Sequence, residues 1–341
     1  AEYQVAFFTN TYLPHVGGVA MSVYLYQKYL NRLGDDVIVY APEYDEASED
    51  EGVVRRVPAI RHFNETDFSL PVPLGFKPIN DFSSDDFDIV HTHHPFLLGE
   101  TGMQLAREHR LPLVYTYHTQ YERYTHYVPV QDEVAQRTVI RHTTEFCNMC
   151  DQIIAPTTDI KRLLESRDVT TPIHVLPTGI ELASYGKCVQ SDLRGKLGIP
   201  DDAPLLVHIG RLAKEKNLDY LLDACLAVLE KRNDVHWIVA GDGTQLGSLK
   251  EKAVKAGPAG KRIHFTGKKS GQDLIDIYNA GDLFVFSSKT ETQGMVILEA
   301  MAAGMPSIVL DADGIGDIVV DSENGRCLKG DATDKEFAEA V

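Results

Sequence analysis

The sequence predicts an α/β protein built as two doubly wound domains, and three observations carry that prediction. Short apolar strands alternate with amphipathic helices along the whole chain, which is the pattern of parallel sheets crossed by helices. The 341 residues suit two domains, each large enough for its own core. A polar, irregular stretch, IELASYGKCVQSDLRGKLGIPDDA, separates the strands into two sets and reads as the linker between them.

In the first set VAFFTN, DVIVYAP, FDIVHTHH, LPLVYTYH, DQIIAPT and IHVLPTG read as strands, and in the second PLLVHIG, VHWIVAGDG, RIHFTG, LFVFSS and PSIVLDA do so. The domains are placed at residues 1–178 and 179–341. Between VVRRVPAI and FDIVHTHH the segment RHFNETDFSLPVPLGFKPINDFSSDD is poor in helical pattern where a crossover helix is expected. Either a proline-rich loop replaces that helix or residues are missing from it. The sequence stops after DKEFAEAV, in mid-helix by pattern.

Hydrophobic content of 43% and charged content of 24% are those of an ordinary soluble globular protein. No apolar run approaches the roughly 20 residues of a membrane span. The chain opens directly into YQVAFFTN, with no basic-then-apolar signal segment. A net charge of -17 argues against nucleic acid as the main partner and weakens attraction to anionic lipid heads. Cys147 and Cys150 form CNMC without a second such pair, so helical filler near a domain boundary is preferred to a redox or metal motif. Cysteine usage fits a reducing, cytoplasmic compartment.

Two glutamates in TETQGMVILEAMAAGMP raise the question of a site. GMVILEAMAAG reads as a buried helix opening near Gly294 and closing at Gly304, with Pro306 beyond it. Glu299 inside it needs a partner, either a protein cation or a ligand rich in hydroxyl donors. Glu291 lies in the preceding loop, where open α/β sheets bind ligands unless it is simply solvated. The amides of Gln293, Gly294 and Met295 would face an anion from the helix N-terminus.

Other candidates also sit at strand ends. Gly17 and Gly18 precede a helix whose N-terminus a ligand can approach, a plain turn being the alternative. Arg211 and Lys216 bracket a loop with the charges a diphosphate needs, although alone they would be surface charges. His118 ends a strand among aromatics and can equally be structural. In HTHH, His91 and His93 share a face with no carboxylate at ligand spacing, so a structural or acceptor-facing role is preferred to a metal. VAGDGTQL fails as a dinucleotide fingerprint because Leu246 stands at its third glycine position.

Taken in order, PHVGGV, HTHHPFLLG, YTYHTQYERYTHY, GRLAKEKN, AGDG and TETQGMVILEAMAAGMP resemble the retaining, glycogen-synthase-like glycosyltransferases of GT-B fold, over nearly the whole chain. Within them the sequence is most similar to bacterial 1,2-diacylglycerol 3-glucosyltransferases. That resemblance implies two Rossmann-like domains facing across a cleft that closes on donor and acceptor. It implies that Glu299 grips the ribose of a nucleotide sugar, expected to be UDP-glucose. Glu291 would bond hydroxyls of the transferred sugar, and Gln293, Gly294, Met295 and Val296 would hold sugar and phosphate. Gly17, Gly18 and Lys269 would complete the donor site. Arg211 and Lys216 would neutralise the leaving diphosphate, and His118 would contact the sugar from the opposite domain. His15, Tyr121, Arg123, Tyr124 and Tyr127 would face the acceptor or the membrane, unless the last four form an ordinary helix face.

The resemblance implies no metal and no cofactor beyond the nucleotide sugar. A glycerolipid acceptor at the inner face of the membrane is expected. The alternatives are a soluble acceptor (a sugar phosphate, an inositol phosphate or malate) and a non-catalytic nucleotide-sugar-binding module. Two family features are not visible in the sequence: a final helix crossing back to the first domain, and a longer segment before Phe87.

Overall fold

A computed structural model describes residues 2–15, 17–45, 53–62, 68–75, 77–83, 86–127, 132–185 and 191–341, with the backbone alone at 78, 126, 127 and 132. The chain divides into two compact units, Ala1–Gly179 and Ile180–Val341.

The first unit contains β1 (Gln4–Phe8), β2 (Asp36–Pro42), β3 (Val54–Val57), β4 (Ala59–Ile60), β5 (Leu70–Pro71), β6 (Ile89–Thr92), β7 (Leu113–Thr116), β8 (Gln152–Ala155) and β9 (Ile173–Val175). Its helices are α1 (Gly18–Leu33), α2 (Lys77–Asn80), α3 (Leu98–His109), α4 (Asp132–Asn148) and α5 (Thr158–Ser166). Seven strands form one parallel sheet in the order β3-β2-β1-β6-β7-β8-β9. From β1 the chain steps outward to β3, returns to β6 on the other side and steps away again. The carboxyl ends of β1 and β6 therefore flank a topological switch point, where open α/β sheets bind ligands.

The second unit repeats this plan with β10 (Leu205–Ile209), β11 (His236–Ala240), β12 (Ile263–Gly267), β13 (Leu283–Phe286), β14 (Ser307–Leu310) and β15 (Gly325–Leu328). Its helices are α6 (Leu193–Leu197), α7 (Leu218–Lys231), α8 (Leu246–Lys255), α9 (Gly271–Ala280), α10 (Met295–Ala302) and α11 (Asp334–Ala340). The strand order β12-β11-β10-β13-β14-β15 puts its switch point between β10 and β13.

The strands read as apolar runs because helices cover both faces of each sheet. Alternation then divides neighbours between two cores: Phe8 packs with Tyr40, Phe82, Phe87 and Tyr115, while Phe7 packs with Val5, Val23, Val37 and Val39. In the second unit Leu206, Val285 and Ile308 share one core, and Val207, Phe284 and Val309 the other. Each such side chain contributes about 1.5–3 kcal/mol on burial.

Three expectations change. Where the crossover helix was missing, a proline-containing antiparallel ribbon pairs Ala59 with Pro71 and Ile60 with Leu70, and the single turn α2 follows. The linker is not irregular beyond residue 191. Arg194 of α6 donates to the carbonyls of Pro200, Ala203 and Ala280 and bonds Asp282, fixing this stretch to the second unit. Cys147 and Cys150 belong to the first unit's core instead of a boundary. Burial pushes the Cys147 thiol up to about 12, so it is protonated and serves as packing.

Among the described residues no helix is long and apolar enough to cross a membrane.

Candidate functional site

In the second unit two loops meet at the switch point. After β10 the chain runs through Gly210 to the turn Lys214–Lys216 and enters α7. After β13 it runs from Ser287 to Gly294 and enters α10. The Ser287 hydroxyl donates to the carbonyls of Lys216 and Asn217, and the Asn217 amide donates back to Ser287 O at 3.3 Å. The glycines of AGDG serve this assembly. A Cβ on Gly241 would come within 1.8 Å of Gly210 O, and one on Gly243 within 2.4 Å of Leu212 O. They let the β11 loop press against the β10 loop.

The charges at this junction are paired. Arg211 Nη2 lies 2.8 Å from Glu215 Oε1, and Lys216 Nζ lies 2.5 Å from Glu291 Oε1. The sequence had suggested cations waiting for a diphosphate. Each instead has a carboxylate, because charge enclosed in protein needs a counter-charge. The pairs differ in exposure: the Arg211 side chain is 52% exposed and its partner Glu215 1%, whereas Lys216 is 13% and Glu291 17% exposed. Burial opposes ionisation of Glu291, but the Lys216 charge and hydrogen bonds from Lys216 and Ser288 overcome it and hold the carboxyl below its usual range. Beneath them His208 is fully buried and donates from Nδ1 to Val285 O at 3.2 Å. Burial lowers its pKa to about 4, so it is neutral.

Glu299 stands on α10. Of the two kinds of partner considered for it, a protein cation is absent among the described residues. The Tyr278 hydroxyl of α9 donates to Glu299 Oε2 at 2.5 Å, and the Tyr185 hydroxyl is a second donor. Burial raises the Glu299 pKa, and the two phenols act against that rise. The helix itself is less buried than its composition suggested: Ile297 and Ala300 are buried and its other residues half-buried, since one side alone packs on the sheet. Gly294 caps it at φ +64°, with no side-chain cap and no acidic residue in the first turn. Its hydrogen-bond ladder begins where Ile297 and Leu298 donate to Gly294 O, so the amides of Met295 and Val296 stand ahead of it. Gln293 is buried beside them. Lys269 is half-buried in the loop after β12, with β11 between its strand and β10.

The first unit's switch point is stitched in the same way. The Asn10 backbone N–H donates to His94 Nδ1 at 3.1 Å, and Asn10 Oδ1 accepts from the Leu98 backbone N–H at 3.0 Å. His91 Nε2 lies 2.7 Å from the Thr116 hydroxyl, and His93 Nδ1 lies 2.9 Å from His118 Nε2. His91, His94 and His118 are all pushed down to about 3 by burial, which leaves them neutral. Gly17 is the N-cap of α1, where a Cβ would come within 3.2 Å of His15 Nε2, and a Cβ on Gly18 would meet nothing within 4 Å. His15 packs on Tyr44 with ring centroids 6.1 Å apart.

The segment Tyr121–Tyr127 is a 3-10 helix. Tyr121 is half-buried, its ring 5.2 Å from that of Phe96. Glu122 is buried on Arg167 at 2.6 Å and holds the turn down. Arg123 is exposed and Tyr124 half-buried, while the Tyr127 side chain lies outside the described residues.

Sequence reading missed Glu215, His208, Tyr185 and Tyr278. Glu215 stands inside GRLAKEKN and was legible as the necessary counter-charge of Arg211. The two tyrosines carry no local signal, because they reach Glu299 from distant parts of the chain. Among the described residues no three His, Cys, Asp or Glu side chains group as metal ligands would.

Two family descriptions match the chain: Glycosyl transferases group 1 over residues 189–341 and Glycosyltransferase Family 4 over residues 16–184. The alpha-monoglucosyldiacylglycerol synthase of Streptococcus pneumoniae is 31% identical over 335 residues, covering 96% of this chain and 76% of the relative. That of Acholeplasma laidlawii is 30% identical, covering 94% and 84%. The crystal structure of Anabaena HepE in complex with UDP-glucose superposes with a TM-score of 0.77 at 21% identity, covering 98% of this chain and 88% of that one.

Proposed function

The chain belongs to the group 1 glycosyl transferases of GT-B fold, and from that premise we propose that it moves glucose from UDP-glucose to a membrane glycerolipid such as diacylglycerol. The observation that carries the donor reading is Glu299, a carboxylate satisfied by phenol hydroxyls and by no cation among the described residues. A ribose diol offers the same donor chemistry, two hydroxyls to one carboxylate. The names of the two synthases support a glucosyl group and a diacylglycerol acceptor.

In this reading Glu291 accepts hydrogen bonds from sugar hydroxyls. Its ion pair with Lys216 makes it a poor nucleophile, which argues against a covalent glycosyl-enzyme, so retention calls for attack on the face of the leaving group. The acceptor oxygen bonds to the anomeric carbon on the face from which the diphosphate departs. The carbon–oxygen bond to phosphate breaks, and the acceptor's proton passes to a leaving phosphate oxygen. Arg211, Lys216 and the amides at the start of α10 stabilise the growing charge without a metal. Arg211, being half exposed, can keep Glu215 on one side of its guanidinium and offer its remaining N–H groups to the phosphate. His118 bonds a substrate hydroxyl. Arg123 and Tyr124 meet the lipid surface weakly, since a chain of net charge -17 gains little from anionic heads.

Incubation with a panel of nucleotide sugars tests the donor: UDP-glucose should be hydrolysed slowly and faster than its competitors. Preference for another base or sugar would overturn that assignment.

A further inference from the structure

The pair His93 and His118 poses a question of protons. Their facing nitrogens, His93 Nδ1 and His118 Nε2, are 2.9 Å apart, and the rings stack with centroids separated by 5.2 Å. Two neutral imidazoles can share such a bond in two ways. Either His93 donates from Nδ1 and keeps a bare lone pair on Nε2, or His118 donates from Nε2 and His93 must carry its own proton on Nε2.

The surroundings of His93 Nε2 decide between them. His93 is 0% exposed, and its Nε2 has no hydrogen-bond partner among the described residues. The ring is walled by Phe7 at 4.6 Å and by His91, stacked at 4.3 Å. A buried N–H without an acceptor is among the rarest features of folded proteins, and an unfilled lone pair is tolerated better. The proton of His93 therefore belongs on Nδ1.

We infer that His93 is a positioning residue that fixes His118 as the Nδ1–H tautomer, so that His118 meets its substrate hydroxyl as a hydrogen-bond donor and not as a proton-accepting base. With Nε2 occupied by the His93 proton, the one N–H of a neutral His118 is on Nδ1. This is the reverse of the tautomer an unconstrained histidine prefers. Burial keeps both rings uncharged, so the arrangement holds across the neutral pH range. The inference rests on His118 touching substrate, as proposed above.

The test uses the full chain labelled with 15N in its histidines. Two-bond nitrogen–proton correlation spectra distinguish the two tautomers, and the His118 signals are assigned by their loss in His118→Gln. The wild type should show His118 as Nδ1–H. In His93→Phe it should relax toward Nε2–H, with turnover lowered roughly 10-fold and little change in KM. His93→Asn, whose amide nitrogen stands near the place of Nδ1, should restore both tautomer and turnover. A wild-type His118 in the Nε2–H form overturns the inference, and that spectrum decides even if His93→Phe does not fold. A tautomer indifferent to His93→Phe overturns it as well. Unchanged kinetics in His118→Ala would overturn the substrate contact instead, a result separable from the tautomer.

Discussion

Lys216 Nζ stands 2.5 Å from Glu291 Oε1, and this pair joins the loop after β10 to the loop after β13 across the second unit's switch point. Lys216→Met leaves Glu291 enclosed without its cation. The loss should be about 3 kcal/mol at neutral pH. The Glu291 pKa is lowered in the folded chain, so the pair's contribution is full above the ordinary carboxylate range and is lost as pH falls through the folded value. Urea midpoints of wild type and variant should therefore converge in acid. A gap independent of pH would contradict the ionic account.

Glu299 has the opposite sign. Its folded pKa is raised by burial, so the ionised form destabilises the fold above that value, and the penalty disappears as pH falls through it. Glu299→Gln should raise the melting temperature at neutral pH and weaken UDP binding by about 1.5–3 kcal/mol. Melting curves and calorimetry measure the two effects. Unchanged UDP affinity in a folded variant would remove Glu299 from the donor site.

Arg211→Ala should lower turnover about 10- to 100-fold while raising KM less, because its charge matters most as the diphosphate leaves. Because the Glu215 side chain is only 1% exposed, losing its cation should also lower stability, and the kinetics are read on the folded variant. Steady-state kinetics decide it: full turnover with a raised KM would exclude a leaving-group role.

What the sequence showed and what it hid follow from the range of the interactions. Parallel strands buried on both faces, such as LLVHI of β10, announce themselves as unbroken apolar runs. VRRV of β3 and GRCL of β15 do not, since strands this short and polar are set by their neighbours in the sheet. Glu291 and Glu299 stood out because a carboxylate beside apolar residues needs an explanation. Their actual partners were hidden: Lys216 lies 75 residues from Glu291 and Tyr278 lies 21 from Glu299. Pairing at such separations is created by the switch-point topology and leaves no local periodicity. Likewise the contact between the rings of Tyr121 and Phe96 leaves no local signal.

Gly314 has φ +77°, and a Cβ there would stand 2.3 Å from Thr292 O in the loop that carries Glu291 and Gln293. Gly314→Ala should cost about 2–3 kcal/mol by urea denaturation and reduce donor affinity with it. Wild-type stability would mean that this loop does not depend on the close contact.

Replacing Arg123 and Tyr124 together by serine should slow transfer to liposomal diacylglycerol several-fold and leave slow UDP-glucose hydrolysis unchanged. Equal losses in both assays would place these residues in the donor site or the fold, and not at the lipid.

The most direct measurement is the transfer of radiolabelled glucose from UDP-glucose to diacylglycerol in liposomes, with the anomeric linkage of the product read by proton NMR. The account predicts an α-glucosyl diacylglycerol, formed without added metal and lost in Glu299→Ala. A β-linked product, or sugar passed to a soluble acceptor while diacylglycerol stays unlabelled, would contradict it.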